Sequence, residues 1–156
     1  MTDPGSDNLL WADALIHGLV MAGVRRAVIS PGSRSTPLVL ACSRNPAIST
    51  WTQVDERCAA FFALGLAKHD GSPVALVATS GSAPAHWYPA IIEANHSGIP
   101  LLLLSADRPP ELQGCGANQT TDQRHLFGHQ VRGFFDPGPA RSGGEAQDQI
   151  RDLGLE

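Results

Sequence analysis

The sequence predicts an α/β domain, a parallel sheet with helices on both faces. From residue 8 to about residue 104, short apolar stretches alternate with longer segments that carry apolar residues at helical spacing. The apolar stretches lack the polar alternation of a half-exposed sheet, which marks parallel strands covered on both sides. Most of them run directly into a turn rich in Ser, Gly, Pro or charge.

The first helix is expected over Asn8 to Val24, where Leu9, Ala12, Ile16, Leu19 and Val20 share one face, Asp7 serves as N-cap and Gly23 marks the end. Ala27-Val28-Ile29 is a short buried strand, followed by the turn Ser30 to Pro37. Pro37 suits the first position of a helix from Leu38 to Ser43. A strand over 49–54 leads through Asp55 into a small-residue helix that runs to about Lys68 and stops at His69-Asp70-Gly71. Pro73 to Ala78 is the next strand, Ala85 to Asn95 the next helix, and Pro100 to Leu104 a nearly pure aliphatic strand. Beyond Gly114 the pattern loosens into a polar loop at Cys115 to Gln123, a short helix at Arg124 to Gln130 and an edge strand at Val131 to Phe135. Pro137 to Gly144 reads as a linker, and Glu145 to Leu155 as a helix with little apolar face. The expected division is thus one α/β domain over residues 1–136, with a linker and an incomplete helix over 137–156. The sheet is expected to stop before its last strand.

Bulk properties narrow the function. A chain of 156 residues with 42% hydrophobic content can bury a sizeable core and is not expected to be disordered. A net charge of -4 and a pI near 5.8 argue against nucleic acid as the main partner. Of the 11 basic residues only Lys68 is a lysine. Composition bias accounts for most of this excess, and forked recognition of carboxylates or phosphates accounts for one or two of the arginines. Cys42, Cys58 and Cys115 form no C-x-x-C pair, which fits a reducing cytoplasm better than a disulfide framework. Met1 to Gly5 is not basic, so no signal peptide is expected, and no apolar run approaches the ~20 residues that cross a bilayer.

Four turns follow strands and precede helices: Ser30–Pro37, Asp55–Arg57, Thr79–Ala83 and Ala106–Pro110. In a parallel sheet they all fall on the carboxyl edge, where such folds bind ligands. Each turn also has an ordinary explanation. Gly32 and Gly81 suit tight turns, while Ser33, Ser80 and Ser82 suit helix caps. Alternatively Gly81 lets backbone approach a ligand, with the N–H groups of the next helix aimed at it. Glu56, by position alone, reads as a solvated first-turn carboxylate, with Asp55 as the N-cap. Ala59, Ala60, Ala63, Gly65 and Ala67 shift the reading toward function, since they would let another helix or subunit pack close and desolvate Glu56. Arg34 and Arg108, on the same edge, are candidates for anchoring anionic groups. No Walker A, G-x-S-x-G or H-E-x-x-H sequence occurs, and the six histidines show no ligand spacing.

The segments Ser30-Pro31-Gly32-Ser33-Arg34-Ser35-Thr36-Pro37-Leu38, Asp55-Glu56-Arg57 with Ala59 to Gly65, and Thr79-Ser80-Gly81-Ser82-Ala83 form one pattern together with Ala106 to Leu112 and Cys115 to Thr120. It resembles the 2-succinyl-5-enolpyruvyl-6-hydroxy-3-cyclohexene-1-carboxylate synthases, thiamine-diphosphate enzymes of menaquinone synthesis, from about residue 8 to residue 136. The segments 30–38 and 106–120 are specific to these synthases, and the glutamate and T-S-G turns are shared more widely in the superfamily.

The resemblance implies the first, pyrimidine-binding domain of a three-domain enzyme that decarboxylates 2-oxoglutarate and adds the product carbanion equivalent to isochorismate. Glu56 matches the glutamate that hydrogen-bonds the aminopyrimidine and favours the imino tautomer, whose nitrogen takes the thiazolium C2 proton. Glu56, Ser80 and Gly81 are the implied cofactor-binding residues; Ser33, Arg34, Arg108, Asn118 and Gln119 match positions that line the pocket. The diphosphate and its Mg2+ or Mn2+ are held in the family by a later domain with a G-D-G motif, which this sequence lacks. A fragment inactive by itself, within a homodimer or homotetramer when complete, is therefore expected. Two other readings are a domain of another 2-oxo-acid decarboxylase or carboligase, and a non-catalytic truncated domain.

Overall fold

Four strands, β1 (Arg26–Ile29), β2 (Ser49–Thr52), β3 (Val74–Ala78) and β4 (Leu101–Ser105), form one parallel sheet in the order β2-β1-β3-β4. The computed structural model describes residues 4–154. Helices α1 (Pro4–Met21), α2 (Thr36–Arg44), α3 (Glu56–Asp70), α4 (Tyr88–Ser97) and α5 (Gly144–Leu153) accompany the sheet.

Strand side chains alternate between two dry layers. Val28, Val74, Leu76, Ala78, Leu101 and Leu103 pack with the alanines of α3 and with Trp87, Ala90 and Ile91. Ala27, Ile29, Ala75, Val77, Leu102 and Leu104 pack on the other side with Ala12, Ile16 and Leu19 of α1 and Ala41 and Cys42 of α2. Both faces of the sheet are thus covered, as the unalternating strands require. The exception is β2, a largely exposed outer strand, with its Trp51 edge-on to Phe62 of α3.

The structure shifts several boundaries. Helix α1 starts at Pro4, so Asp7 lies in its first turn and is not its cap. It ends at Met21 because Gly23 takes a φ of 101°, which reverses the chain and drops Val24 into the core. Asp55 is the N-cap of α3, as expected, and accepts the N–H of Arg57 at 2.8 Å. A 3-10 turn, Pro84–Trp87, precedes α4 and buries Trp87 completely. No strand forms at Val131–Phe135. The turn before it lies against the α4 layer, where Phe127 stacks on Tyr88 and Gln130 accepts from Asn95 at 3.0 Å, and residues 132–135 are exposed.

Helix α5 lies on α1. Trp11 donates its indole N–H to the carbonyl of Ala146 at 3.1 Å, and Ile150 is buried. The two backbones meet at Gly18, where a Cβ would stand 2.0 Å from the Arg151 carbonyl oxygen. The expected helix end at Leu155 falls outside the described residues.

Candidate functional site

The chain leaves β1 toward β2 on the α1–α2 face, and leaves β3 toward β4 on the α3–α4 face. Neighbouring strands whose connections depart in opposite directions open a crevice at the carboxyl edge. A cleft of about 350 Å³ lies there, lined by Asn8, Ser33, Arg34, Pro37, Thr79, Arg108 and Gln119.

Close packing of one turn on another builds this cleft. A Cβ on Gly32 would fall 2.4 Å from Thr79 Cβ, so the turns after β1 and β3 are in direct contact. The Ser35 hydroxyl donates to the Gly32 carbonyl at 3.0 Å and stiffens the first turn. Gly81, at a φ of 80°, leaves room for Gln119, whose Cγ would lie 2.6 Å from an added Cβ. Both glycines therefore make room for neighbouring protein. On the side where a Cβ would project, Gly81 faces the side chain of Gln119.

The electrostatics favour an anion. No lining residue is acidic. Among the described residues, Arg26, Arg57, Arg124 and Arg151 are ion-paired, whereas Arg34 and Arg108, like Arg25, Arg44, Arg132 and Arg141, are not. Arg108 Nε is also one of only three buried side-chain polar atoms without a partner among the described residues, and Ser30 Oγ, at the end of β1, is another. Such orphans are costly unless something supplies the missing bond.

Glu56 lies outside this cleft, after the edge strand β2, as the first residue of α3. Its carboxylate is half-buried and forms no hydrogen bond or ion pair among the described residues. The neighbouring cation is engaged elsewhere: Arg57 donates from Nε to Asp55 Oδ1 at 3.0 Å and from Nη2 to Oδ2 at 2.5 Å. The hydrogen bonds from Arg57 hold the Asp55 carboxyl well below the usual carboxylate range, and the same contact raises the Arg57 guanidinium.

The alanines of α3 face inward. Ala59, Ala60, Ala63 and Ala67 are buried against this domain's own sheet and Trp87. The outward face carries Cys58, Phe61, Phe62 and Gly65, with Val54 exposed beside Glu56. The alanine stripe therefore serves this domain's own core.

Of the residues singled out by sequence, the cleft collects Ser33, Arg34, Arg108 and Gln119. Ser80 is buried beneath Gln119, and Asn118 is exposed on the adjacent loop. Asn8 and Thr79 line the cleft without having been selected. Asn8 was legible in principle, since a helix joined to β1 by a tight turn runs antiparallel to it and brings its N-terminus to the carboxyl edge. Among the described residues no group of three His, Cys, Asp or Glu could hold a metal ion. No helix is long and apolar enough to cross a membrane.

The parallel α/β architecture agrees with the class that comparison with known proteins shows. A family model described as thiamine pyrophosphate enzyme, N-terminal TPP binding domain, matches residues 11–127, and the chain belongs to that family. Within it, the chain is 58% identical over 143 residues to the 2-succinyl-5-enolpyruvyl-6-hydroxy-3-cyclohexene-1-carboxylate synthase of Dechloromonas aromatica, covering 92% of this chain and 27% of the relative. The synthases of the same name from Myxococcus xanthus and Haloarcula marismortui are 54% and 56% identical, over 88% and 87% of this chain and 23% of each relative. The chain thus spans about a quarter of the length of the curated relatives it matches, and the resemblance carried by its turns is borne out.

Proposed function

We propose that this chain is the aminopyrimidine-binding part of a thiamine-diphosphate-dependent synthase acting on 2-oxoglutarate and isochorismate, as in menaquinone synthesis. The observation that carries the proposal is the cleft with two unpaired arginines and no acid, on the same sheet edge as an unpaired glutamate. Both substrates are carboxylates, and forked guanidinium groups bind carboxylates through paired, charge-assisted hydrogen bonds. The S-P-G-S-R-S-T-P turn and the D-R-P-P-E-L segment at Asp107–Leu112 favour this reading over another 2-oxo-acid carboligase.

Glu56 suits the ring end of the cofactor. A carboxylate at a helix start, left free because Arg57 is turned to Asp55, can accept a hydrogen bond from a ring N–H. The cofactor, when bound, supplies the electron sink for decarboxylation and carbon–carbon bond formation. Glu56 would hold the proton at that ring nitrogen. Arg34 and Arg108 would orient substrate carboxylates, Ser33 and Asn118 would hydrogen-bond their oxygens, and Gln119 would form the cleft wall. Ser80 and Gly81 would support the cofactor from the turn.

The donor set does not suit the diphosphate or its Mg2+ or Mn2+, which would be held by a later domain, with a central domain between. The same reading makes residues 1–136 the pyrimidine-binding domain, 137–156 its exit, and the complete enzyme a homodimer or homotetramer. Three unbridged cysteines, two of them exposed, support a cytoplasmic location.

The test is calorimetric titration and steady-state turnover with both substrates in the complete enzyme. Turnover that is lost in Glu56→Gln and has a raised KM in Arg34→Met supports the reading. A complete enzyme that ignores isochorismate but decarboxylates other 2-oxo acids would overturn the substrate assignment.

A further inference from the structure

The loop Cys115–Gln123 crosses from the end of β4 back over the turn after β3, and it is fastened there by side chains 40 or so residues away. The Ser80 hydroxyl donates to the Gln119 carbonyl at 3.0 Å. In return the Gln119 side-chain amide donates to the Ser80 carbonyl at 3.2 Å. Thr121 donates to the Gly81 carbonyl at 2.9 Å, and Gln123 to that of Ala106 at 3.0 Å. Gln119 has a φ of 59°, the single positive value outside glycine among the described residues. A side chain in this region costs conformational energy and persists where the surroundings over-determine it.

We propose that Gln119 is a positioning residue, the pin that locks this loop onto the Thr79–Ser82 turn and fixes the wall of the arginine cleft. One N–H of its side-chain amide is given to Ser80, and through that bond Gln119 holds the loop, which also presents Asn118. Gly81 is the matching socket, since any Cβ there would strike Gln119 Cγ. The strained backbone makes the loop an all-or-none fastening. Without the reciprocal hydrogen bonds the bonds of Thr121 and Gln123 do not offset the left-handed conformation at Gln119, and the loop leaves the turn as a unit.

The loop rigidity can be read in this 16.5 kDa chain by backbone 15N relaxation, without any ligand. Order parameters at Asn118 to Thr121 are expected near the rigid value of ~0.85, falling below about 0.6 in Gln119→Ala and in Ser80→Ala. Gln119→Gly separates side chain from backbone: it relieves the strain but removes the pin, and is expected to be as mobile as Gln119→Ala. A loop that stays ordered in Gln119→Ala, is already mobile in the parent chain, or stays ordered in Gln119→Gly overturns the proposal.

The consequence for binding rests on the function proposed above and is measured in the complete enzyme. Ser80→Ala and Gln119→Ala should each raise the substrate KM about tenfold with kcat within about twofold, and the double variant should match either single, because each removes one of the two reciprocal hydrogen bonds and the loop leaves the turn as a unit. Additive effects would show that Gln119 touches the ligand directly and sink the pin. An unaltered parent enzyme that does not use these substrates would instead defeat the functional reading, leaving the relaxation result standing.

Discussion

Arg57 closes on Asp55, two residues before it, with both ends of its guanidinium fork, and the residue between them is left unpaired. The pair therefore does two things at the start of α3. It caps the helix and withdraws the nearest cation from Glu56.

Removing the Glu56 charge should leave the fold intact and remove its chemistry. Glu56→Gln in the complete enzyme is expected to slow exchange of the cofactor C2 proton by about 10²–10⁴-fold, the range of a lost general acid–base contribution. Proton-exchange NMR checks this, and near-normal exchange would refute the role.

Breaking the pair should be felt at Glu56 as well as in the helix. Asp55→Ala removes the cap, worth about 1 kcal/mol, and releases Arg57 to approach Glu56. Turnover is expected to fall more than the small loss in stability explains, and Arg57→Ala in the same background should restore part of it. The pH effect has a fixed sign. Asp55 is held below its ordinary pKa, so its contribution is present above about pH 4 and is lost as pH falls below that value. The pair is exposed, so the loss is small.

The two cleft arginines should act on substrate affinity and not on folding. Arg34→Met and Arg108→Met are each expected to raise the KM for a carboxylate substrate about 10- to 100-fold, the size of one charged hydrogen-bonded contact. Arg108→Met should also slightly stabilise the unliganded chain, since it deletes the orphaned Nε. Chemical denaturation of the two variants distinguishes these effects.

At the α1–α5 crossing no side chain fits. Gly18→Ala would place a methyl group on the Arg151 carbonyl, and is expected to cost about 1–3 kcal/mol and to detach α5. Loss of protection at residues 144–153 by hydrogen exchange, with the sheet unaffected, is the expected pattern.

Burial pushes the Cys42 thiol up to about 11, from an ordinary 9.0. Below pH 9 both folded and unfolded states carry the proton. Between 9 and 11 only the unfolded state releases it, so stability declines with rising pH by up to about 2–3 kcal/mol. Cys42→Ala should flatten that part of the pH–stability curve. Thiol reagents should label Cys58 and Cys115 in the folded chain and spare Cys42.

The sheet was readable because its strands are short, buried on both faces and punctuated. Val28 and Leu76 carry that signal directly. The carboxyl-edge turns were readable for the same reason. What could not be read was contact between turns: Gln119 in a left-handed conformation has no local signature, because glutamine is not a residue that asks for it. Nor did the α3 alanines reveal their direction. A close-packing stripe looks the same whether it faces its own sheet or a partner, and only the sheet order settled it. Helix α5 was readable as a helix with little apolar face, but its seat on α1 was not, since it docks through glycine backbone and Ile150 and not through a broad apolar stripe. Val131–Phe135 had strand composition, but Phe127 and Gln130 tie the preceding turn to α4.

The contact of Gly32 with Thr79 sets limits on how this cleft could be redesigned or could drift. A saturation library would find position 32 closed to every side chain although the turn is partly open to solvent. Variation in ligand preference must then enter through the tips that project from this fixed pair, Ser33, Arg34 and Asn8. New specificities would be reached by exchanging those side chains on an unchanged frame.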